Sequence, residues 1–337
     1  MKIKYYFRCS LFILLILTSC HSNPLDINVS KVNLTLSVKR LDQDLFMVTD
    51  ANVKEMIPLL QKKYDPFFEV YNKEVLAIGN SQDSLYAGYL LTFLRDSVNV
   101  AARRKSDSVF RDFKPIASQL ELAFRHYHYY YPELPVPTLF TYLSGFNQSI
   151  VIYPGALGIS LDNYFGSSCD YYRQLGIYEY KRRNMEPSKI AYDALYGWGN
   201  QQFEYKGNAE DLISGMIFQG KLLYFLDAMI PDGQDSLKIG YSKKQLNWCR
   251  ENESQMWSYL VERKLLFSAD RMTMVRFINA GPFTPPFGQK SPGKTGVWLG
   301  WQIVKSYMKK NPQIKLRALM EENDYHKILN ESGYAPD

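Results

Sequence analysis

The stretch KIAYDALYGWGNQQF at 189–203 reads as a helix, and Tyr192-Asp193-Ala194-Leu195-Tyr196 within it has the spacing of H-E-x-x-H. In a zinc peptidase two histidines one turn apart hold the metal, and the Glu between them serves as general base. Here Tyr fills both ligand positions. Asp fills the base position, one methylene short of Glu. The spacing therefore fits either a site that has lost its metal or an ordinary core helix.

A zinc centre needs three good protein donors and an open position for water. The chain has four histidines, His21, His126, His128 and His326. His126 and His128 are two apart on a helix and point away from each other. None falls in the 189–203 helix, and all four are expected at the surface. No cofactor and no metal are expected, and no residue is assigned a catalytic role. A serine hydrolase would want G-x-S-x-G, and YLSGF at 142–146 keeps only one of the glycines, so Ser144 reads as a loop residue. Asp162 and Asp170 could serve as a glycosidase pair, but Asp beside Gly and Asn more often forms turns. The chain is read without a P-loop or dinucleotide fingerprint. Tyr-rich runs such as YHYYYP at 127–132 suit a core boundary, where the ring packs and the hydroxyl finds a partner.

The elements that would position these residues are mostly helices. Helical patterning covers 53–64, 83–105 and 114–132, then 189–203, 211–230 and the region around 242–267. Ile190, Ala194 and Trp198 fall at i, i+4, i+8. Ser242 and Gln245 have capping-box spacing. VNLTLSV at 32–38 alternates as a half-buried strand does, and 138–166 holds short β-rich runs broken by Gly, Asn and Pro. GPFTPPFGQKSPGKTG at 281–296 must be a loop, after which WLGWQIVKSYMKK begins the closing helices. The fold class is α+β, mostly helical with a small mixed or antiparallel sheet.

The amino-terminal residues bear on location. Lys2, Lys4 and Arg8 precede the apolar run LFILLIL at 11–17, too short for a bilayer span of ~20 residues and suited to a secretion signal. Leu17-Thr18-Ser19-Cys20 has the bacterial lipobox pattern. Cleavage before Cys20, with lipid on its thiol and new amino terminus, is expected. The signal peptide is then 1–19, with a lipidated tether at 20–31 and one globular domain at 32–337. Residue 21 is His rather than an inner-membrane retention Asp, and no acidic export run follows. An outer-membrane, periplasm-facing lipoprotein is the expectation.

The formal charge is +6, from 40 basic and 34 acidic residues. Removing the three basic signal residues leaves 37 − 34 = +3, too mild to argue for nucleic acid as a partner. Of four cysteines, Cys169 and Cys249 remain once Cys9 is discarded and Cys20 is lipidated. Two buried free thiols are expected.

Several blocks together carry a resemblance. KRLDQDLF at 39–46, YDPFFEVY at 64–71, GISLDNYFG at 158–166, MIFQGKLLYFLDAMIPD at 216–232, the NE-x-x-x-W block at 252–257 and GVWLGWQIVKSYMKKNP at 296–312 resemble the gliding-motility lipoprotein GldB family of the Bacteroidetes. The resemblance spans nearly the whole mature chain. It implies envelope protein partners among motility or secretion components, with membrane attachment through the lipid. That family is in turn distantly similar to gluzincin-type zinc peptidases, which place a third ligand Glu, often in an E-G pair, on the helix after H-E-x-x-H. Gln219-Gly220 stands there in this chain. The resemblance thus implies a zincin-like scaffold whose metal motif is lost, with Tyr192, Asp193, Tyr196 and Gln219 as a vestigial site or cleft. The role implied is non-catalytic support of an envelope machine. The alternatives are an envelope hydrolase using Asp193 and a lipoprotein that binds glycan or peptide.

Overall fold

A computed structural model describes residues 23–207 and 210–336; the signal segment and Cys20 lie outside the described residues. Four short strands form one mixed sheet in the order β1-β2-β4-β3: β1 Val38–Arg40, β2 Thr138–Tyr142, β3 Ile150–Tyr153 and β4 Ala156–Ser160. β1, β2 and β4 run parallel, and β3 is the antiparallel edge. The α+β expectation holds, with helices dominating.

The principal helices, in chain order, are α1 Val53–Tyr64, α2 Tyr86–Arg95, α3 Ser97–Val109 and α4 Lys114–Tyr130. They continue with α5 Ile190–Gln202, α6 Leu212–Met229, α7 Lys243–Glu251, α8 Glu253–Glu262, α9 Thr295–Lys310 and α10 Tyr325–Ser332. Successive strand residues point to opposite faces, and the sheet uses this to separate two cores. Phe140, Tyr142 and Ala156 join Tyr64, Phe67, Phe68 and Tyr71 on one face. Leu139, Leu157 and Ile159 face the larger core, built on α4, α5, α6 and α9. Phe67 stacks on Phe140 with centroids 4.4 Å apart. Gly158 permits this close packing, because a Cβ there would lie 2.5 Å from the Phe67 ring.

Three boundaries differ from the sequence expectation, each for a local reason. Of the alternating 32–38 stretch only Val38 is strand, as the first residue of β1. Upstream, α4 side chains take the backbone bonds: Arg125 donates to the Leu34 carbonyl at 3.3 Å and the Leu36 N–H donates to Glu121 at 3.1 Å. The helix expected over 83–105 is broken at Asp96, whose carboxylate accepts from the Val98 and Asn99 N–H groups and caps α3. The helix after Ser242 breaks at Asn252, between α7 and α8. The capping box at Ser242 and Gln245 forms in both directions.

From Asn23 onward the segment expected as a lipidated tether packs on the body. The Asn23 side chain donates to the Pro231 carbonyl at 3.2 Å, Leu25 packs on the main core, and Val29 is buried. Apolar residues at 25 and 29 have more to gain against the core than in water.

α6 carries apolar residues on every side besides Lys221 and Asp227, and its length and hydropathy would suit a bilayer, but 89% of it is buried inside the protein. A helix apolar all round belongs at the centre of a large core. It crosses α9 with no side chain between the backbones, since a Cβ on Gly300 would lie 1.8 Å from the Met216 carbonyl oxygen and one on Gly220 would lie 2.3 Å from Gly300. This crossing fixes where the residue before Gly220, Gln219, points.

Candidate functional site

α5 lies against the antiparallel edge of the sheet: a Cβ on Gly197 would meet Ile150 and Ile152 of β3 at 3.3 and 3.2 Å. On its other side α5 faces α6, and here the two helices exchange a polar contact. The Tyr196 hydroxyl donates to the Gln219 amide oxygen. Burial, reinforced by the nearby Asp193 carboxylate, pushes the Tyr196 hydroxyl well above its ordinary pKa. Tyrosine binds metals as the phenolate, so this phenol stays a neutral donor at neutral pH and uses its proton on Gln219.

Asp193, one turn earlier, accepts from the Lys189 ammonium at 3.0 Å and from the Tyr164 hydroxyl at 3.1 Å. Asp193, Tyr196 and Gln219 line one cleft of about 560 Å³. Tyr192 does not join them. Its hydroxyl lies against the 230–234 turn, where a Cβ on Gly233 would come within 2.9 Å of it. Three of the four residues expected at a vestigial site therefore converge, and Tyr192 serves packing instead.

The donor set does not fit zinc. Neither Tyr196 nor Gln219 is an anionic or imidazole ligand, and each already occupies the other. Among the described residues no three His, Cys, Asp or Glu side chains come together in a group suited to a metal. No described histidine lines the cleft. His126, expected at the surface, is buried in α4 with its Nδ1 unpartnered, and burial lowers its pKa. His326 sits far along the chain in α10, with Nε2 2.7 Å from the Asp211 carboxylate. Asp162, read as a turn former, is instead fully buried and accepts from the Ser144 and Phe146 N–H groups at 3.0 and 2.8 Å, while Asp170 is exposed. They do not form a glycosidase pair. Cys169 and Cys249 are both buried and free.

A family model described as the gliding motility protein GldB matches residues 22–336. The chain belongs to the GldB family. No curated protein and no solved structure matches. Membership of the GldB family points to a gliding-motility-related lipoprotein of the envelope.

Sequence reasoning missed what else lines the cleft of this GldB-family chain: Lys181, Lys189, Lys238 and Lys294, against Asp193 as the one carboxylate. Lys189 also donates to the Leu237 carbonyl at 2.6 Å, and Lys238 pairs with Asp227 at 2.8 Å. Among the described residues Lys294 has no such partner; its ammonium stands 6.0 Å from the Tyr241 ring centroid. Two signals were available. Lys189 stands one helical turn before Asp193. Residues 288–295, GQKSPGKT, have the G-x-x-x-x-G-K-T spacing of a phosphate loop, contrary to the expectation that the chain has none.

Two lysines carry a pH signature. Burial pushes Lys294 down to about 8, with the Lys189 charge adding to the effect. It also pushes Lys221 of α6, which donates to the Met320 and Glu322 carbonyls, down to about 8. Between that pH and the ordinary lysine range, the unfolded chain holds protons that the fold lacks, so stability rises with pH. Denaturant titrations should show a gain on the order of 1 kcal/mol from pH 7 to 8.5. The buried Cys249 thiol, held above its usual range by burial, opposes the gain only as pH approaches 9. A stability that falls over pH 7–8.5 would contradict these surroundings.

Proposed function

We propose that this protein is an outer-membrane lipoprotein, acylated at Cys20 after removal of residues 1–19 and facing the periplasm. Its body gives non-catalytic support to a motility or secretion machine of the envelope. The observation that carries the non-catalytic part is the Tyr196–Gln219 hydrogen bond, which joins the two helices where a gluzincin would hold zinc. A zincin-like ancestry is supported by the antiparallel edge strand packed on α5 and by the order of the two helices. A hydrolase using Asp193 is disfavoured, because Lys189 and Tyr164 already occupy that carboxylate.

The seating of Asn23 on Pro231 adds a geometric consequence. Three residue steps separate Cys20 from Asn23 and span at most ~11 Å. A lipid on Cys20 would hold the 230–234 turn close to the bilayer, leaving little tether. Cys20→Ser is expected to move the protein from the membrane fraction to the soluble periplasm. Crosslinking in intact cells followed by mass spectrometry should recover motility or secretion components. Continued membrane retention of the Cys20→Ser chain, or recovery of no envelope partner, would count against the proposal.

A further inference from the structure

The cleft beside Tyr196 and Gln219 has a charge balance that a structural role does not require. Among the described residues four lysines line it against one carboxylate. Lys189 and Lys238 have acidic partners, whereas Lys294 forms no hydrogen bond or ion pair among the described residues. Gathering like charges in a partly desolvated space is unfavourable unless an anion offsets it.

Lys294 is also held there by strain. It adopts a left-handed backbone conformation, φ +52°, which a side chain with a Cβ resists, at the N-cap of the 16-residue α9. The first turn of α9 has no acidic residue, so a cation sits at the positive end of the helix dipole. The loop that imposes this is tightly tied. The Thr284 hydroxyl donates to the Pro292 carbonyl at 2.8 Å, the Tyr241 hydroxyl donates to the Gly293 carbonyl at 2.6 Å, and a Cβ on Gly293 would strike the Gly281 carbonyl at 2.4 Å. Strained conformations enforced by their surroundings cluster at ligand sites.

We propose that this cleft binds a phosphate group, with the Lys294 ammonium, at the start of α9, as its principal contact and Lys181 and Lys189 lining the same cleft. An ammonium binds phosphate as a point charge, and a phosphate, carrying more than one negative charge near neutral pH, offsets a cluster of lysines better than a single carboxylate does. The GQKSPGKT spacing agrees with that chemistry, but the site departs from a nucleotide-hydrolysing loop in three ways. No strand precedes the loop, Pro292 has no N–H to offer, and the Thr295 hydroxyl that would hold magnesium is fully buried and bonded to Thr284 at 3.1 Å. The site is therefore assigned to a metal-free phosphate or phosphate monoester. Ile278, Leu223 and Val297 provide an apolar wall for whatever carries it.

The test is a titration of the purified full-length protein with inorganic phosphate, followed by calorimetry and melting temperature, against chloride and acetate at matched ionic strength. Glycerol phosphate provides the monoester arm. Saturable binding and a rise in melting temperature are expected with both phosphates and not with chloride or acetate. Lys294→Met should weaken binding about tenfold or more, and Lys294→Arg should retain most of it. A Lys294→Met protein that folds as the wild type does and keeps the full phosphate response would overturn the assignment. So would a phosphate effect no larger than that of chloride, or one abolished by EDTA. The proposal stands apart from the zinc-free reading of α5 and α6, since phosphate affinity and metal content are separate measurements.

Discussion

Gly300→Ala is expected to destabilise the protein by about 3 kcal/mol or more, which is enough to threaten folding at ordinary temperature. The α6–α9 crossing leaves no room for a methyl group: the new Cβ would sit 1.8 Å from the Met216 carbonyl oxygen and 2.4 Å from its carbon, and backbone cannot rotate away as a side chain can. The helices must separate, and the buried face of α9, including Trp298, Trp301 and Val304, loses contacts with them. Gly88→Ala is the control. Gly88 is exposed on α2 with nothing within 4 Å of a Cβ, so the same substitution should stabilise by about 0.5–1 kcal/mol through lower helix-formation cost. Urea denaturation of the two variants should give effects of opposite sign. A loss below about 1 kcal/mol for Gly300→Ala would refute the close crossing.

Asp227→Ala carries the second large effect. The Asp227 carboxylate accepts from the Lys238 ammonium and from the Trp301 indole N–H, each at 2.8 Å, with Lys305 at 3.8 Å. Lys238 is almost fully buried. Removing the carboxylate leaves its charge without compensation and orphans the indole donor, a combination that costs about 3–5 kcal/mol. Adding Lys238→Met to Asp227→Ala should recover a substantial part, because the uncompensated charge then disappears. A double variant as unstable as the single one would show that the burial of Lys238 is not what the carboxylate offsets.

Where sequence pattern and local physics agreed, the fold was legible. VKEMIPLLQKKY forms a helix over its full length, and the Ser242–Gln245 box closes as its spacing implies. The 32–38 alternation misled because its backbone groups are claimed by Glu121 and Arg125, which lie more than 80 positions away. No local pattern reports such a competitor. The candidate site shows the same division. Asp193, Tyr196 and Gln219 meet because α5 and α6 are neighbours in both sequence and space. Tyr192 shares a helical face with Tyr196 by spacing, yet the 230–234 turn rises over it. The lysines of the cleft come from the short 179–182 helix, the turn that leads into α5, the 235–239 helix and the loop before α9. Only the GKT run gave Lys294 a sequence signature, and its meaning depends on the Thr284 and Gly281 contacts that set the loop.

The proposed non-catalytic role rests on the Tyr196–Gln219 hydrogen bond, formed by residues whose spacing matches the ligand positions of a zinc peptidase. Elemental analysis of the purified full-length protein, dialysed and then incubated with zinc, tests this directly. Zinc well below one ion per chain, with no change on Gln219→Ala, is the predicted result. Near-stoichiometric zinc that is lost on Gln219→Ala, together with a chelator-sensitive peptidase activity, would contradict it.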